Sequence, residues 1–376
     1  MDSSVAALLL KNKGYDVVGV HMSNWSASDE KGEGIRCERT EDLDFAKKTC
    51  AHLDIPMNHV SFETEYWNNV FSPMVEGYRA GVTPNPDVWC NREIKFKPLL
   101  EYARTSLGAS YLATGHYARL RRSTDDEEET PKLMTAFDKT KDQSYFLCGV
   151  GGDSLRNVLF PLGDLAKIND VRRLAREYDL PAAERRDSQG ICFIGKRKRF
   201  SKFMEEYTEP NPGPIVDDSG NVIGEHGGLF TLTVGQCARI GGSAHRWFVA
   251  RKVLEENTIV CVPDGHEMLY SSEFCVSNTS WISGKAPPVV EKGATLEAFV
   301  RVRHQQNLAS CTLSLIDGAD DENEGNVAFG GSDVVVRTRE PLRAVTPHQI
   351  AAIYVSAPDS GDFLCLGGGL ISDVRS

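Results

Sequence analysis

The 376-residue sequence is short of several features, and each shortage removes a class of protein. Its ten cysteines, at positions 37, 50, 90, 148, 192, 237, 261, 275, 311 and 365, never form a Cys-x-x-Cys pair. Paired zinc-finger spacing is thereby excluded. A disulfide framework is not expected in a chain this long without a signal sequence, so a reducing compartment with most thiols serving as small core hydrophobes is the reading. Basic residues are outnumbered, 42 Lys and Arg against 53 Asp and Glu, for a net charge of -11. A general nucleic-acid coat protein needs a strongly basic surface and is ruled out, whereas one RNA can still be gripped by a local basic patch. No apolar run approaches the roughly 20 residues of a membrane span. Neither a targeting peptide nor a strand is expected ahead of the first helix.

What is present reads as a globular protein of two or three domains. Asp2-Ser3-Ser4 opens an apolar helix that ends at Gly14, and short β-branched strands then alternate with helices. Strands are expected at Asp16–Val20, Met57–Phe62 and Tyr111–Thr114, and helices at Glu38–Leu53, Glu65–Tyr78, Lys97–Leu107 and Leu162–Tyr178. Such alternation implies a mainly parallel sheet covered on both faces. The acidic run Asp125–Glu129 reads as a solvated hairpin tip. A linker signal stands at Pro210-Asn211-Pro212-Gly213-Pro214, followed by a small turn-rich segment. The tail reads as strands of a small barrel, including Leu296–Val302, Cys311–Leu315, Val334–Arg337 and Ile353–Val355. The expected division is residues 1–205 for an α/β domain, 206–270 for a small β-rich domain, and 271–376 for a β-barrel.

Two cysteine motifs carry most of the chemistry. In Thr83-Pro84-Asn85-Pro86-Asp87-Val88-Trp89-Cys90-Asn91-Arg92-Glu93-Ile94-Lys95-Phe96, two prolines stiffen a loop just before a helix. A cysteine at a helix start gains from the positive end of the backbone dipole, which favours thiolate, and Asp87 is near enough in sequence to accept a proton. An incidental buried cysteine in a structured loop stands as the alternative. In Asp187-Ser188-Gln189-Gly190-Ile191-Cys192-Phe193-Ile194-Gly195 the thiol lies between glycines and precedes Lys196-Arg197-Lys198-Arg199, a setting that attracts phosphate. A basic helix face over a core cysteine is the alternative there. Hydroxyls and free N–H groups at Asp2-Ser3-Ser4 suit a phosphate, as any capped helix start does. Ala113-Thr114-Gly115-His116, a strand running into glycine, suits a ligand edge, and His116 reads equally as a satisfied interior histidine.

Together these segments resemble one family, the tRNA-specific 2-thiouridylases of the MnmA/TRMU type within the PP-loop ATP pyrophosphatases. The resemblance runs in order along essentially the whole chain, through Asp2–Ser4, Met22-Ser23-Asn24-Trp25, Thr83–Phe96, Ala113–Ala118, Lys141-Asp142-Gln143, Asp187–Gly195, Thr233–Gln236, Arg301–Gln305 and Pro341–Pro347. It implies a Rossmann-like α/β PP-loop (HUP) domain, a small central domain and a C-terminal β-barrel. It further implies ATP, with Mg2+, held by Asp2, Ser3, Ser4, Met22 and Gly115. The tRNA would be touched by Asn85, Pro86, Asp87, Lys141, Asp142, Gln143, Arg303 and His304. Cys90 matches the nucleophile, Cys192 the cysteine that carries a persulfide, and Asp87 a manager of protons. The implied reaction adenylates a wobble uridine and then transfers sulfur to give 2-thiouridine, AMP and pyrophosphate. A persulfide-donating protein, the anticodon region of tRNAs for Lys, Glu and Gln, a monomeric state and no membrane complete the expectation. The acidic insertion and Gly195-Lys196-Arg197 lean towards the mitochondrial branch, with the cytoplasm expected for a bacterial source.

The sequence departs from the family pattern where Ser-Gly-Gly-Val and the strand before it have no counterpart, Met1 standing in the valine position. Apolar surface left open beside that strand and a weaker phosphate grip are expected, and a catalytically impaired tRNA-binding homologue is the alternative function. Cys237 occupies a position where the family has arginine. A different ATP pyrophosphatase would share the fold without needing both cysteine motifs. An iron–sulfur cluster on Asp87, Cys90 and Cys192 is a third reading, since thiolates are the usual cluster ligands.

Overall fold

The computed structural model describes residues 1–25, 38–122, 130–185, 200–243, 245–316, 332–357 and 361–375. The chain divides into two compact units, one formed by Met1–Val70, Asp87–Gly195 and Ala357–Cys365, the other by Phe71–Pro86, Lys196–Ser356 and Leu366–Ser376.

The first unit opens with α1 (Asp2–Asn12), built from alanine and leucine. Its end is set by Gly14 at φ +84°, whose N–H bonds Lys11 O at 2.9 Å while Tyr15 N–H bonds Leu10 O at 3.1 Å. That pairing of 5→2 and 6→1 bonds needs a left-handed residue, which glycine supplies without a Cβ penalty. Val5 and Leu8 of α1 are buried against Tyr117, Leu162, Val171 and Ala175. Each such aliphatic side chain contributes about 1.5–3 kcal/mol by leaving water.

Two parallel strand pairs follow in this unit. β1 (Gly19–Ser23) and β2 (Met57–Ser61) run in register with His21 opposite His59, joined by α2 (Glu38–His52). β3 (Leu112–Ala113) pairs with β6 (Val158–Leu159), and between them β4 (Arg119–Arg121) and β5 (Lys132–Met134) form an antiparallel hairpin. The expected parallel sheet is thus present as two separate pairs. No residue of β1 is fully buried, and Val18 and Tyr111 are exposed beside the pairs. The acidic run Asp125–Glu129, expected as a hairpin tip, lies outside the described residues.

Several boundaries differ from the sequence reading. The first strand begins at Gly19 rather than Asp16. The helix expected over Leu162–Tyr178 is limited to Lys167–Glu177, a wide π-type turn followed by regular helix, because Leu162–Leu165 form turns. The helix expected over Glu65–Tyr78 is three consecutive pieces, Glu63–Tyr66, a π-type turn Trp67–Phe71, and Ser72–Arg79.

In the second unit, β7 (Gly213–Val216), β8 (Val222–His226), β9 (Cys237–Ala238), β10 (Trp247–Val253) and β11 (Thr258–Pro263) form a five-stranded sheet in the order β8-β7-β11-β10-β9. Beyond it, β12 (Tyr270–Trp281), β13 (Leu296–Arg301), β14 (Ala309–Leu315), β15 (Ser332–Arg343), β16 (Ile350–Ser356) and β17 (Phe363–Arg375) close on themselves as a six-stranded barrel, β12-β15-β14-β13-β16-β17 and back to β12. Alternation at Cys311 and Leu313, and at Val334 and Val336, sends these side chains into the barrel core. β12 and β17, long strands absent from the sequence reading, are what close it; polar residues interrupt both.

Candidate active site

The site residues of the first unit gather at the carboxyl ends of its parallel strands, where open α/β sheets bind ligands. Gly115, two residues beyond the end of β3, is pressed against the start of α1. A Cβ built there would stand 2.7 Å from Ser3 N, 2.8 Å from Asp2 C and 2.9 Å from Asp2 Cβ. Backbone atoms cannot step aside as a flexible side chain would, so only glycine fits. Asp2, Ser3 and Gly115, three of the expected nucleotide residues, are therefore in contact, while Met22 lies half-buried on β1.

The three residues at the head of α1 do different work. The Asp2 carboxylate accepts two bonds from Lys167 Nζ, at 2.6 and 2.8 Å, and one from Tyr117 Oη at 3.1 Å. Lys167 is almost completely buried and its ammonium also lies 5.7 Å from the centre of the Tyr117 ring. Ser4 Oγ is 3.4 Å from Thr49 Oγ1 on α2. Only Ser3 presents an exposed side chain. Asp2 and Ser4 thus fix the helix start, leaving the first-turn N–H groups and Ser3 to face an anion. The sequence reading missed Lys167: nothing in an isolated lysine followed by Ile168-Asn169-Asp170 signals a buried partner for Asp2.

Cys90 is buried, and Asn24 Nδ2, just after β1, points at its sulfur from 3.9 Å. The expected placement of Cys90 at a helix start is corrected. Residues Pro86–Cys90 are helical and run directly into a π-type turn, Asn91–Lys95, so Cys90 ends the first segment of a longer helical run. The dipole effect falls off within the first turn, so it does not account for a reactive thiol here. What does surround the site is polar. Asp87 is exposed at the surface of this unit, yet protein crowds it closely enough that desolvation pushes its carboxyl above the ordinary range, opposed by the charge of Lys95. Asn91, buried, accepts from Lys95 Nζ at 3.0 Å and donates to Phe146 O at 3.0 Å, fixing that cation. Desolvation first, and Lys95 second, hold His116 well below the usual histidine range. Its Nδ1 is 2.7 Å from Thr114 Oγ1 and its ring packs against Phe96 and Phe160, so it is the satisfied interior histidine the sequence allowed.

The expected tRNA residues also separate by role. Asp142 is buried and accepts from Ala136 N, Ser144 N and Ser144 Oγ at 3.0, 3.2 and 3.0 Å. Gln143 exchanges bonds with the Tyr117 backbone at 2.9 and 2.8 Å. These two shape a turn, and Lys141 beside them is half-exposed. Asn85, Pro86, Arg303 and His304 belong to the second unit. There Asn85 Nδ2 donates to Gln349 Oε1 at 3.4 Å, and Arg303, exposed, donates to Val234 O and Ala344 O at 3.2 and 2.8 Å. Cys237 is half-buried on β9. Cys192, with the basic run Lys196–Arg199, lies outside the described residues. Among the described residues no group of three or more His, Cys, Asp or Glu side chains is arranged to hold a metal ion.

A HUP-type α/β domain with a glycine-fitted helix start, followed by two β domains, defines the class. Family models for the tRNA methyl transferase HUP domain, the tRNA methyl transferase PRC-barrel domain and the aminomethyltransferase beta-barrel domain match residues 1–196, 201–263 and 271–371. The tRNA-specific 2-thiouridylase MnmA of Bacillus pumilus (strain SAFR-032) is 42% identical over 377 residues, covering 100% of this chain and 93% of its own length. The proteins of the same name from Oceanobacillus iheyensis, 43% identical over 378 residues, and Bacillus subtilis (strain 168), 41% over 377, each cover 100% of this chain and 93% of their own. This chain belongs to the MnmA family of tRNA-specific 2-thiouridylases.

Proposed function

We propose that this protein is a tRNA sulfurtransferase that places sulfur on carbon 2 of an anticodon wobble uridine at the expense of ATP. The observation that carries the reading is the presence, within one unit, of a helix start fitted by Gly115 and of a buried cysteine, Cys90, with Asn24 at its sulfur and Asp87 three positions ahead of it. ATP suits the first feature: the N–H groups of Ser3 and Ser4 and the exposed Ser3 hydroxyl are free for phosphate oxygens, and Met22 offers an apolar wall. Mg2+ would ride on phosphate oxygens and water, since Lys167 and Tyr117 already engage the Asp2 carboxylate.

The chemistry explains a pair of cysteines. Bound ATP supplies an adenylyl group that turns a poor leaving oxygen of the uracil ring into a good one. Cys192 would carry the outer sulfur as a persulfide, and Cys90 would attack it, freeing that sulfur for the ring and leaving a disulfide to be reduced. Asp87, with its carboxyl pushed upward by crowding, is suited to take and return a proton nearer neutral pH than an ordinary aspartate. The target base must leave its stack to reach a buried thiol. Lys141, Arg303 and His304 present side chains for tRNA; Asn85 and Pro86 set the loop, and Asp142 and Gln143 set a turn. The anticodon regions of tRNAs for Lys, Glu and Gln, a persulfide donor protein and a monomeric enzyme remain part of this reading, as do domain limits at 205 and 270.

The relatives found are bacterial, so the cytoplasm is the location they support, and the expected mitochondrial location gains nothing from them. No helix among the described residues is long and apolar enough to cross a membrane. The test is mass spectrometry of tRNA from cells lacking this protein. Loss of wobble 2-thiouridine, restored by the wild-type chain and by neither Cys90→Ser nor Cys192→Ser, is expected. Unchanged thiolation without the protein, or restoration by either variant, refutes the reading. Anaerobic purification with an iron assay separates a persulfide relay from a cluster.

A further inference from the structure

The second unit contains a cavity of about 360 Å³, lined among others by Gly81, Lys252, Leu269, Val345, His348 and Asp373. Lys252, on β10, reaches across it and donates from Nζ to Gly81 O at 2.8 Å. Gly81 follows the helix Ser72–Arg79 in a turn closed by Gly81 N–H to Tyr78 O at 3.0 Å and Val82 N–H to Gly77 O at 3.0 Å. A lysine beside the last carbonyls of a helix is a favourable cap. Next along the chain, Gln349 Nε2 bonds Thr83 O at 2.6 Å and Pro84 O at 3.3 Å. The segment from Gly81 to Pro86, which leads into Asp87 and Cys90, is therefore held by two side chains, of which Lys252 is one.

The charge surroundings of this lysine are unusual. Among the described residues no carboxylate lies within ion-pair distance of Lys252. Asp373 on the same wall is 3.1 Å from Arg375. The other titratable groups nearby are Arg251, Tyr270, His348 and His226, and both histidines are themselves shifted towards the neutral form by burial. An ammonium in that setting has lost water without gaining a counter-charge, and desolvation brings its pKa from 10.5 down to about 8.

We propose that Lys252 is an acylation site, at which the amine takes an acyl group from a small acyl phosphate admitted to the cavity and thereby loosens the Gly81–Pro86 segment. The nitrogen lone pair attacks the acyl carbon, an N–C bond forms, the C–O bond to phosphate breaks, inorganic phosphate leaves and the nitrogen gives up a proton to solvent. No redox partner is needed. The product amide has a single N–H and no charge, so the Gly81 carbonyl exchanges a charge-assisted bond for a weaker one, and an acetyl group fits easily within the cavity.

The test treats the whole chain with acetyl phosphate and follows each lysine by peptide mass spectrometry. At pH 7.5 about a quarter of an amine of pKa near 8 is free base, against about one in a thousand for an exposed lysine. Lower intrinsic nucleophilicity and restricted entry reduce that advantage, so Lys252 is expected to label about tenfold faster than the exposed Lys13 and Lys47, with its own rate levelling off above pH 8. Labelling of Lys252 at or below the rate of those lysines overturns the assignment. In the same sample, amide hydrogen exchange over residues 81–86 should rise at least about fivefold on acetylation, whereas Lys252→Arg should leave it near wild type. Exchange unmoved by acetylation overturns the loosening. Neither readout depends on thiolation activity, so both stand apart from the reading of the active site.

Discussion

The Asp2–Lys167 pair yields a prediction whose sign comes from burial. The ammonium lies 2.6 Å from one carboxylate oxygen, and the side chains are 3% and 34% exposed for Lys167 and Asp2. At an effective dielectric of about 20, charges that close attract by about 6 kcal/mol before desolvation is subtracted. Breaking such a pair costs according to the charge left behind. Lys167→Met leaves a carboxylate that is one-third open to water and still receives the Tyr117 hydroxyl, so its cost should be about 1 kcal/mol. Asp2→Asn removes the negative charge facing an ammonium with almost no access to water, and its cost should be about 3 kcal/mol. Native-state hydrogen exchange of the α1 amides reads this locally: about 150-fold faster exchange for Asp2→Asn and about fivefold for Lys167→Met, at 1.36 kcal/mol per decade. The double variant should cost less than the two singles summed, because the two side chains are in direct contact and each single removes the same attraction. Equal costs, the reverse order, or strict additivity would show that the pair does not hold the helix start.

Further outcomes follow from the same geometry. Gly115→Ala forces a methyl to within 2.9 Å of Asp2 and Ser3 backbone and side-chain atoms; about 1–3 kcal/mol of stability should be lost, and ATP affinity measured by calorimetry should fall at least about tenfold. ATP affinity unchanged in a folded Gly115→Ala would remove Gly115 from the nucleotide site. His116 is held below its ordinary 6.5 in the folded protein, so the unfolded chain binds the extra proton first; stability should fall as pH drops below 6.5, and His116→Phe should flatten that part of a urea-midpoint profile. The raised Asp87 carboxyl predicts an acid limb of the thiolation rate above the ordinary carboxylate range, moved to higher pH in Lys95→Met and little changed in Lys95→Arg, as single-turnover assays over pH can determine.

The sequence by itself determined a good deal of this protein. Glycine after an apolar run ended α1 where expected, because the 5→2 and 6→1 bonds need a left-handed residue at Gly14. Alternating tail residues became the barrel wall, since a period of two admits one buried face only. A strand running into glycine singled out Gly115, which the fold presses against the head of α1, because a strand-then-glycine pattern is legible without knowledge of the fold. Tertiary structure decided the rest. Only the meeting of α1 with the segment after β3 shows why residue 115 has to be glycine, and the atoms involved are more than a hundred positions apart in sequence. Only packing shows that Asp2 is spent on Lys167 and that Asp142 and Gln143 turn inward, since the same polar side chains would read as ligands on any exposed loop. The helical run through Pro86–Lys95 likewise moved Cys90 away from a helix start, a shift of one turn that residue preferences do not resolve but hydrogen bonding does.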